Sequence, residues 1–184
     1  MILKESEIGD KDIIEPILGK PYKEPEKLLT ATGSSYFFVE EITDLNGNPL
    51  SLKRDKMKGI FQRYEKGLLL FLNGSNYQNA ILIDYDSIKK LILIKGKESV
   101  SVWKSPILAF LVQRGFTFKH TRKFIPGLGF RLKETELFVL TNKYRIRMTT
   151  NGFSYSSQLK YFSKLKLGSK FESVDSEKKP EITF

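Results

Sequence analysis

Residues 136–156, ELFVLTNKYRIRMTTNGFSYS, constrain the fold of this chain more than any other stretch. Apolar and polar residues alternate over short runs, and the pairs Asn142-Lys143 and Asn151-Gly152 separate those runs. Two-residue turns of this kind join neighbouring antiparallel strands. The stretch therefore predicts a three-stranded antiparallel meander.

The middle run of this meander, YRIRM, has cations at alternate positions. Successive side chains of a strand point to opposite faces of its sheet. The inward set is predicted to be Tyr144, Ile146 and Met148, and the outward set Lys143, Arg145, Arg147 and Thr149. We therefore expect a positive row on the outer face of a sheet, where it meets either water or an anion.

Strand-like segments recur through most of the chain. They cover 34–42, 67–73, 79–85, 87–96, 98–104, 116–124 and 129–134. Aromatic residues make up 12% of the chain, and aromatics pack well on pleated faces. The stretch 57–64 is ambiguous, because Met57, Ile60, Phe61 and Tyr64 have helical spacing, and a strand over 58–64 is the alternative.

Two helices are predicted within this β-rich pattern. Pro106 suits the first position of a helix and Gly115 suits its end, and the apolar interior between them predicts a buried helix over about 106–114. A second, amphipathic helix is predicted over about 157–167, with Gly168 after it.

These elements predict one mainly β (α+β) domain over residues 35–170. Its expected form is a single bent antiparallel sandwich or a partly open barrel. Residues 1–34 are predicted to form an N-terminal tail, largely extended, with room for a short helix from Asp10 to Ile17. Residues 171–184 are predicted to form a flexible C-terminal tail.

Charge is distributed unevenly along the chain, whose formal net charge is +10. Residues 1–88 carry 11 Lys and Arg against 14 Asp and Glu, residues 89–170 carry 18 against 3, and residues 171–184 carry 2 against 4. The middle segment is therefore strongly positive, and a positive surface attracts polyanions.

The best functional candidate is an anion-binding face. Its centre is the row Lys143, Arg145 and Arg147, and a wider patch is predicted from Lys119, Arg122, Lys123, Arg131 and Lys133. Arg and Lys side chains neutralise phosphate groups, and anionic lipid headgroups would use the same charges. Neighbouring aromatics such as Phe118 and Phe124 would favour nucleic acid if they were exposed, since bases stack on them.

Catalytic and cofactor chemistry have weaker support. The chain has no cysteine, which excludes disulfides, thiolate metal sites and cysteine nucleophiles. His120 is the single histidine, and Asp84 and Asp86 fit a turn in which aspartate caps the backbone. We predict no catalytic residue, no cofactor and no bound metal. An enzyme that uses Asp84, Asp86 or His120 stays the remote alternative.

The apolar stretches 67–72 and 107–112 are much shorter than the roughly 20 residues that cross a bilayer. With no signal-peptide pattern at its start, the protein is expected in the cytoplasm or at the inner membrane surface.

The order of segments around ILIDYDSIKKLIL (81–93), followed by the basic hairpin and the closing helix, resembles the pleckstrin-homology-like superfamily, especially its bacterial members. The turn from Ile83 to Ile88 is of the kind found there between two apolar strands. This resemblance covers about residues 35–168. It implies a seven-stranded bent sandwich capped by the final helix, and a scaffold or ligand-binding role.

The expected function is therefore a non-catalytic binding or scaffold module with a basic sheet face. Its partner would be anionic: a lipid headgroup, a polyanion or an acidic protein. A nucleic-acid-binding protein is the alternative.

Overall fold

A computed structural model describes residues 1–22, 33–50, 57–74, 77–101, 106–116, 130–165, 167–175 and 181–183 of the chain. Strands predominate, which confirms the mainly β prediction. The strands are β1 Ile2–Lys4, β2 Phe37–Asp44, β3 Lys58–Arg63, β4 Gly67–Gly74, β5 Tyr77–Asp84, β6 Ile88–Lys95, β7 Glu98–Ser101, β8 Phe130–Leu132, β9 Thr135–Thr141, β10 Tyr144–Thr150, β11 Phe171–Asp175 and β12 Glu181–Thr183. The helices are α1 Lys11–Leu18, α2 Pro106–Gln113 and α3 Tyr155–Phe162.

Nine strands form one sheet in the order β1-β5-β4-β3-β2-β10-β9-β6-β11. All neighbours run antiparallel except β11, which lies parallel to β6. The sheet does not close into a barrel, because β1 and β11 are its edges. The remaining three strands form a small sheet in the order β12-β7-β8.

The small sheet continues the ladder between β6 and β9. Ile94 pairs with Glu136 near the end of that ladder, and the amide of Lys133 then donates to Lys97 O at 2.9 Å. Glu98 pairs with Leu132 in the next step, between β7 and β8. We call residues 96–133 the arm; within it the structure describes 96–101, 106–116 and 130–133, where β7 pairs with β8 and α2 lies between them in sequence.

The main core lies between the sheet and the closing helix. Phe162 of α3 packs against Phe37 and Phe61, with ring centroids 6.2 and 5.6 Å apart. All three side chains are fully buried. Tyr161 also donates its hydroxyl to Phe61 O at 2.9 Å. The predicted closing helix and its buried face are confirmed, although α3 begins and ends earlier than the predicted span 157–167.

The prediction of a third strand in the meander is wrong. Residues 152–154 form a 3-10 turn and α3 follows at once. The Asn151 side chain accepts a hydrogen bond from the Phe153 amide at 2.9 Å, so it caps a helical turn and does not form a hairpin turn. The preceding hairpin, β9 to β10 through Asn142-Lys143, is confirmed.

Residues 58–63 form a strand, which confirms the alternative prediction of a strand over 58–64. The prediction of a helix in this stretch is wrong. Phe61 is fully buried, whereas its neighbour Ile60 is 39% exposed. This alternation is that of a strand with one face on the core.

The N-terminal segment differs most from its predicted state. Residues 1–18 are not an extended tail, because β1 pairs with β5 and α1 packs beside it. Leu3 and Leu18 are fully buried in a second apolar cluster with Leu69 and Leu82. The short helix itself is confirmed: Asp10 caps α1 by accepting from the Asp12 amide at 2.9 Å.

Two further corrections concern α2 and the C-terminus. Pro106 does begin α2 and Gly115 does follow it with a φ of 91°, but the helix is not buried all round. Ile107 is 64% exposed and Phe110 is 53% exposed.

The C-terminal segment is not simply a flexible tail, since residues 171–175 and 181–183 form β11 and β12.

Candidate anion-binding face

The outer face of β10 contains the predicted positive row. Ile146 and Met148 are buried in the main core, while Arg145 and Arg147 are exposed, as the alternation predicts. Thr149 is buried rather than exposed, and its hydroxyl donates to Glu40 Oε1 at 3.0 Å. The strand therefore offers its cations to solvent from the Asn142-Lys143 turn up to Arg147.

Arg147 does not present an uncompensated charge. Its guanidinium donates to Glu136 Oε2 from Nη2 at 3.0 Å and from Nε at 3.3 Å. It also lies over the Phe138 ring, 5.6 Å from the centroid, and Glu41 is its cross-strand neighbour on β2. The Glu136 carboxylate, in direct contact with the guanidinium, opposes the field that a bound anion would meet at Arg147.

Arg145 lies in a different environment on the same face. Its cross-strand neighbours are Thr43 on β2 and Leu140 on β9, and neither carries a charge. The Arg145 side chain is exposed and makes no ion pair with any residue that the structure describes. An approaching anion therefore meets a guanidinium whose donors are not taken up by the described residues.

Lys143 lies two residues before Arg145, in the β9–β10 turn. The Thr141 hydroxyl fixes this turn: it accepts from the amides of Lys143 at 3.1 Å and Tyr144 at 2.8 Å. Lys143 is exposed and, like Arg145, has no ion-pair partner within the described ranges. The two cations are two residues apart in the chain, Lys143 in the turn and Arg145 on β10, so the positive charge is concentrated at this end of the strand.

Of the wider predicted patch, Lys133 is the one member whose side chain lies in the described part of the structure. Lys133 is exposed, but it lies at the opposite end of β9 from Lys143, about 25 Å away along the strand. The backbone of Arg131 belongs to β8, whereas its side chain is outside the described part of the structure. Lys119, Arg122 and Lys123 lie outside the described residues, as do His120, Phe118 and Phe124.

Ion pairs from distant segments neutralise other cations of the positive middle segment. Lys90 pairs with Glu172 at 2.8 Å, and Lys95 pairs with Asp175 at 3.4 Å. Both acids belong to β11, which lies against β6. The C-terminal strand β11 thus places two acidic side chains beside β6, a strand of the positively charged middle segment.

The Asp84–Asp86 turn adopts the capping form predicted for it. Asp84 Oδ1 accepts from the Ser87 amide at 2.7 Å, and Asp84 O accepts from the Ser87 hydroxyl at 2.8 Å. Asp84 and Asp86 do share an open hollow of about 470 Å³ with Ile17, Lys66 and Tyr85. Asp84 is occupied by the turn, however, and the described residues contain no cluster of three or more potential metal ligands.

Sequence reasoning missed Glu136 as the partner of Arg147, although a signal for it was present. A two-residue turn at Asn142-Lys143 pairs Arg147 with Phe138, which puts Glu136 diagonally beside Arg147. It also missed the acidic edge strand β11, for which the sequence holds no comparable register signal.

No protein-family model matches the chain, and no curated protein matches it as a relative. Among the described residues, no helix has the length and apolar character needed to cross a bilayer.

Proposed function

We propose that this protein is a non-catalytic binding or scaffold module that takes an anionic partner on the outer face of β10. The observation that carries the proposal is the pair Lys143, in the turn before β10, and Arg145, on β10, two exposed cations that make no ion pair with the described residues. Arg147 extends the face but is held by Glu136, so we assign it a supporting role. The cytoplasm or the inner surface of a membrane would suit such a module.

The pleckstrin-homology-like architecture is part of this proposal. Seven strands in the order β5-β4-β3-β2-β10-β9-β6 are joined by antiparallel pairings throughout, and α3 follows the last of them in sequence. Phe162 anchors α3 in the main core. A seven-stranded sheet closed over by the final helix is what the resemblance implies, and β1, α1 and the arm would then be additions.

Retention on a heparin column tests the proposal. The double variant Lys143→Glu/Arg145→Glu should elute at clearly lower salt than the wild type, because it reverses two charges that face the same anion. The matched control is Lys11→Glu/Lys160→Glu. It makes the same change in net charge at exposed positions on α1 and α3.

If both double variants elute at the same salt, net charge alone governs retention and the proposed face has no role. Competition experiments distinguish the possible kinds of anionic partner. Inositol phosphate, single-stranded nucleic acid and an acidic peptide are each added to the wild type, and the alternative of a nucleic-acid-binding protein requires that only the nucleic acid displaces heparin at low concentration.

A further inference from the structure

The helix α2 presents apolar side chains to solvent. Ile107 and Phe110, which are i and i+3 and therefore share one helix face, are 64% and 53% exposed. Phe116, just beyond the helix, is 54% exposed. Ala109 of the same helix, in contrast, is buried, and α2 contacts β7. Large side chains exposed together in this way indicate a surface that is covered in use.

Cations without any acid surround these side chains in the sequence. From residue 99 to residue 133 there is no Asp or Glu, and the stretch carries seven cations: Lys104, Arg114, Lys119, Arg122, Lys123, Arg131 and Lys133. The Arg114 guanidinium lies 5.0 Å from the centroid of the Phe110 ring, so charge and apolar surface adjoin directly. Whatever covers this surface must accept apolar side chains and positive charge together.

This surface is separate from the face on β10. The arm begins where β6 and β9 end, at Lys97 and Lys133, whereas Lys143 lies at the other end of β9. The two surfaces can therefore be changed independently.

We infer that the exposed face of α2 docks into the surface of an anionic lipid bilayer. Ile107, Phe110 and Phe116 would enter the boundary between headgroups and acyl chains, and Arg114, which lies beside Phe110, would contact the anionic headgroups. A second copy of the chain is a poorer occupant, since the Arg114 beside Phe110 of each copy would approach the other, and the sequence from 99 to 133 offers no acid to compensate. A bilayer containing anionic lipid satisfies both requirements.

Cosedimentation of the full chain with vesicles tests this inference. The wild type should bind vesicles of phosphatidylcholine mixed with phosphatidylglycerol, and bind vesicles of phosphatidylcholine alone much less. The variant Ile107→Ser/Phe110→Ser should bind the mixed vesicles at least about tenfold more weakly, because each substitution removes an apolar side chain that the bilayer would bury. The control Ile60→Ser/Tyr36→Ser changes one aliphatic and one aromatic side chain exposed elsewhere, and it should bind as the wild type does.

Trp103, the single tryptophan, gives a second readout because it precedes α2 by three positions in the sequence. Its fluorescence should shift to the blue with mixed vesicles and stay unchanged with phosphatidylcholine alone. The variant Lys143→Glu/Arg145→Glu should retain most vesicle binding, so loss of the β10 face and loss of the α2 face give different results.

Three results would overturn the inference: equal binding by the wild type and the α2 variant, no binding of mixed vesicles by the wild type, or vesicle binding lost only in the β10 variant. Sedimentation velocity tests whether a second copy of the chain binds to the α2 face. A dimer that the α2 substitutions dissociate would assign the face to self-association instead.

Discussion

At the scale of single residues, two arginines of the same strand face have different electrostatic roles. Arg145 lies between two uncharged neighbours, while Arg147 contacts Glu136 and faces Glu41. Alternation along β10 predicted correctly that both point outwards. It could not predict their neutralisation, because that depends on which residues of β2 and β9 lie beside each one.

The pair between Arg147 and Glu136 leads to a prediction of stronger binding. Glu136→Gln removes the carboxylate that competes for Arg147, so heparin retention should increase. The free energy of unfolding should change by less than about 1 kcal/mol, since the pair is exposed.

Glu134→Gln is the matched control for this change. Glu134 is exposed just before β9, and its substitution removes the same charge away from the row. Equal gains in retention for the two variants would contradict a specific role for Arg147.

The turn after β2 leads to a prediction about pH. The Asn48 side-chain amide donates to Asp44 at 2.9 Å, and the amides of Asn48 and Asn46 donate to the same carboxylate at 2.9 and 2.8 Å. These hydrogen bonds hold the pKa of Asp44 below its usual value of 3.8. A lowered pKa in the folded state means that the carboxylate stabilises the fold above pH 3.8, and that this contribution is lost as the pH falls through the folded-state pKa.

We therefore expect Asp44→Ala to unfold at a lower temperature than the wild type near neutral pH. The difference in Tm should shrink as the pH falls below 3.8. Thermal unfolding followed by circular dichroism at several pH values measures this. A Tm difference that is constant from neutral to acid pH would show that the charge of Asp44 is not involved.

At the scale of secondary-structure elements, the sequence indicated most strands but not what covers them. The runs in β4 and β5 are apolar on both faces, as Leu69 and Leu70 show, and both of these side chains are buried. A strand that is apolar on both faces needs cover on both. That pattern predicts a second layer, yet nothing in the local sequence of 1–18 identified α1 as that layer.

The packing of α1 predicts a contrast between adjacent residues. Leu18 is fully buried, whereas Ile17 is 37% exposed at the rim of the hollow beside Asp84. Leu18→Ala should lower the free energy of unfolding by about 3 kcal/mol, because it leaves a cavity, and Ile17→Ala should lower it by about 1 kcal/mol or less.

Urea unfolding of the two variants measures this contrast. Equal, small effects would mean that residues 1–18 contribute little to stability. The segment would then behave as the extended tail that was predicted from the sequence.

At the scale of the whole molecule, the charge distribution in space differs from that along the chain. The sequence separates a positive middle from acidic ends, but β11 brings Glu172 and Asp175 onto β6, and β2 brings Glu41 beside β10. These pairings are long-range, so no local pattern could reveal them. At the start of β10, Lys143 and Arg145 keep their charge without an ion pair among the described residues, and the proposed function requires those two charges.

The salt dependence of binding tests the role of these two charges most directly. The affinity for an anionic polymer, such as a fluorescent heparin fragment, is measured by anisotropy at a series of salt concentrations for the wild type, Lys143→Gln/Arg145→Gln and the control Lys11→Gln/Lys160→Gln. If Lys143 and Arg145 contact the polymer, the slope of log affinity against log salt becomes shallower by about two in the first variant only, because two fewer counterions are released. An unchanged slope in that variant, or an equal change in the control, would contradict an anion-binding face on β10.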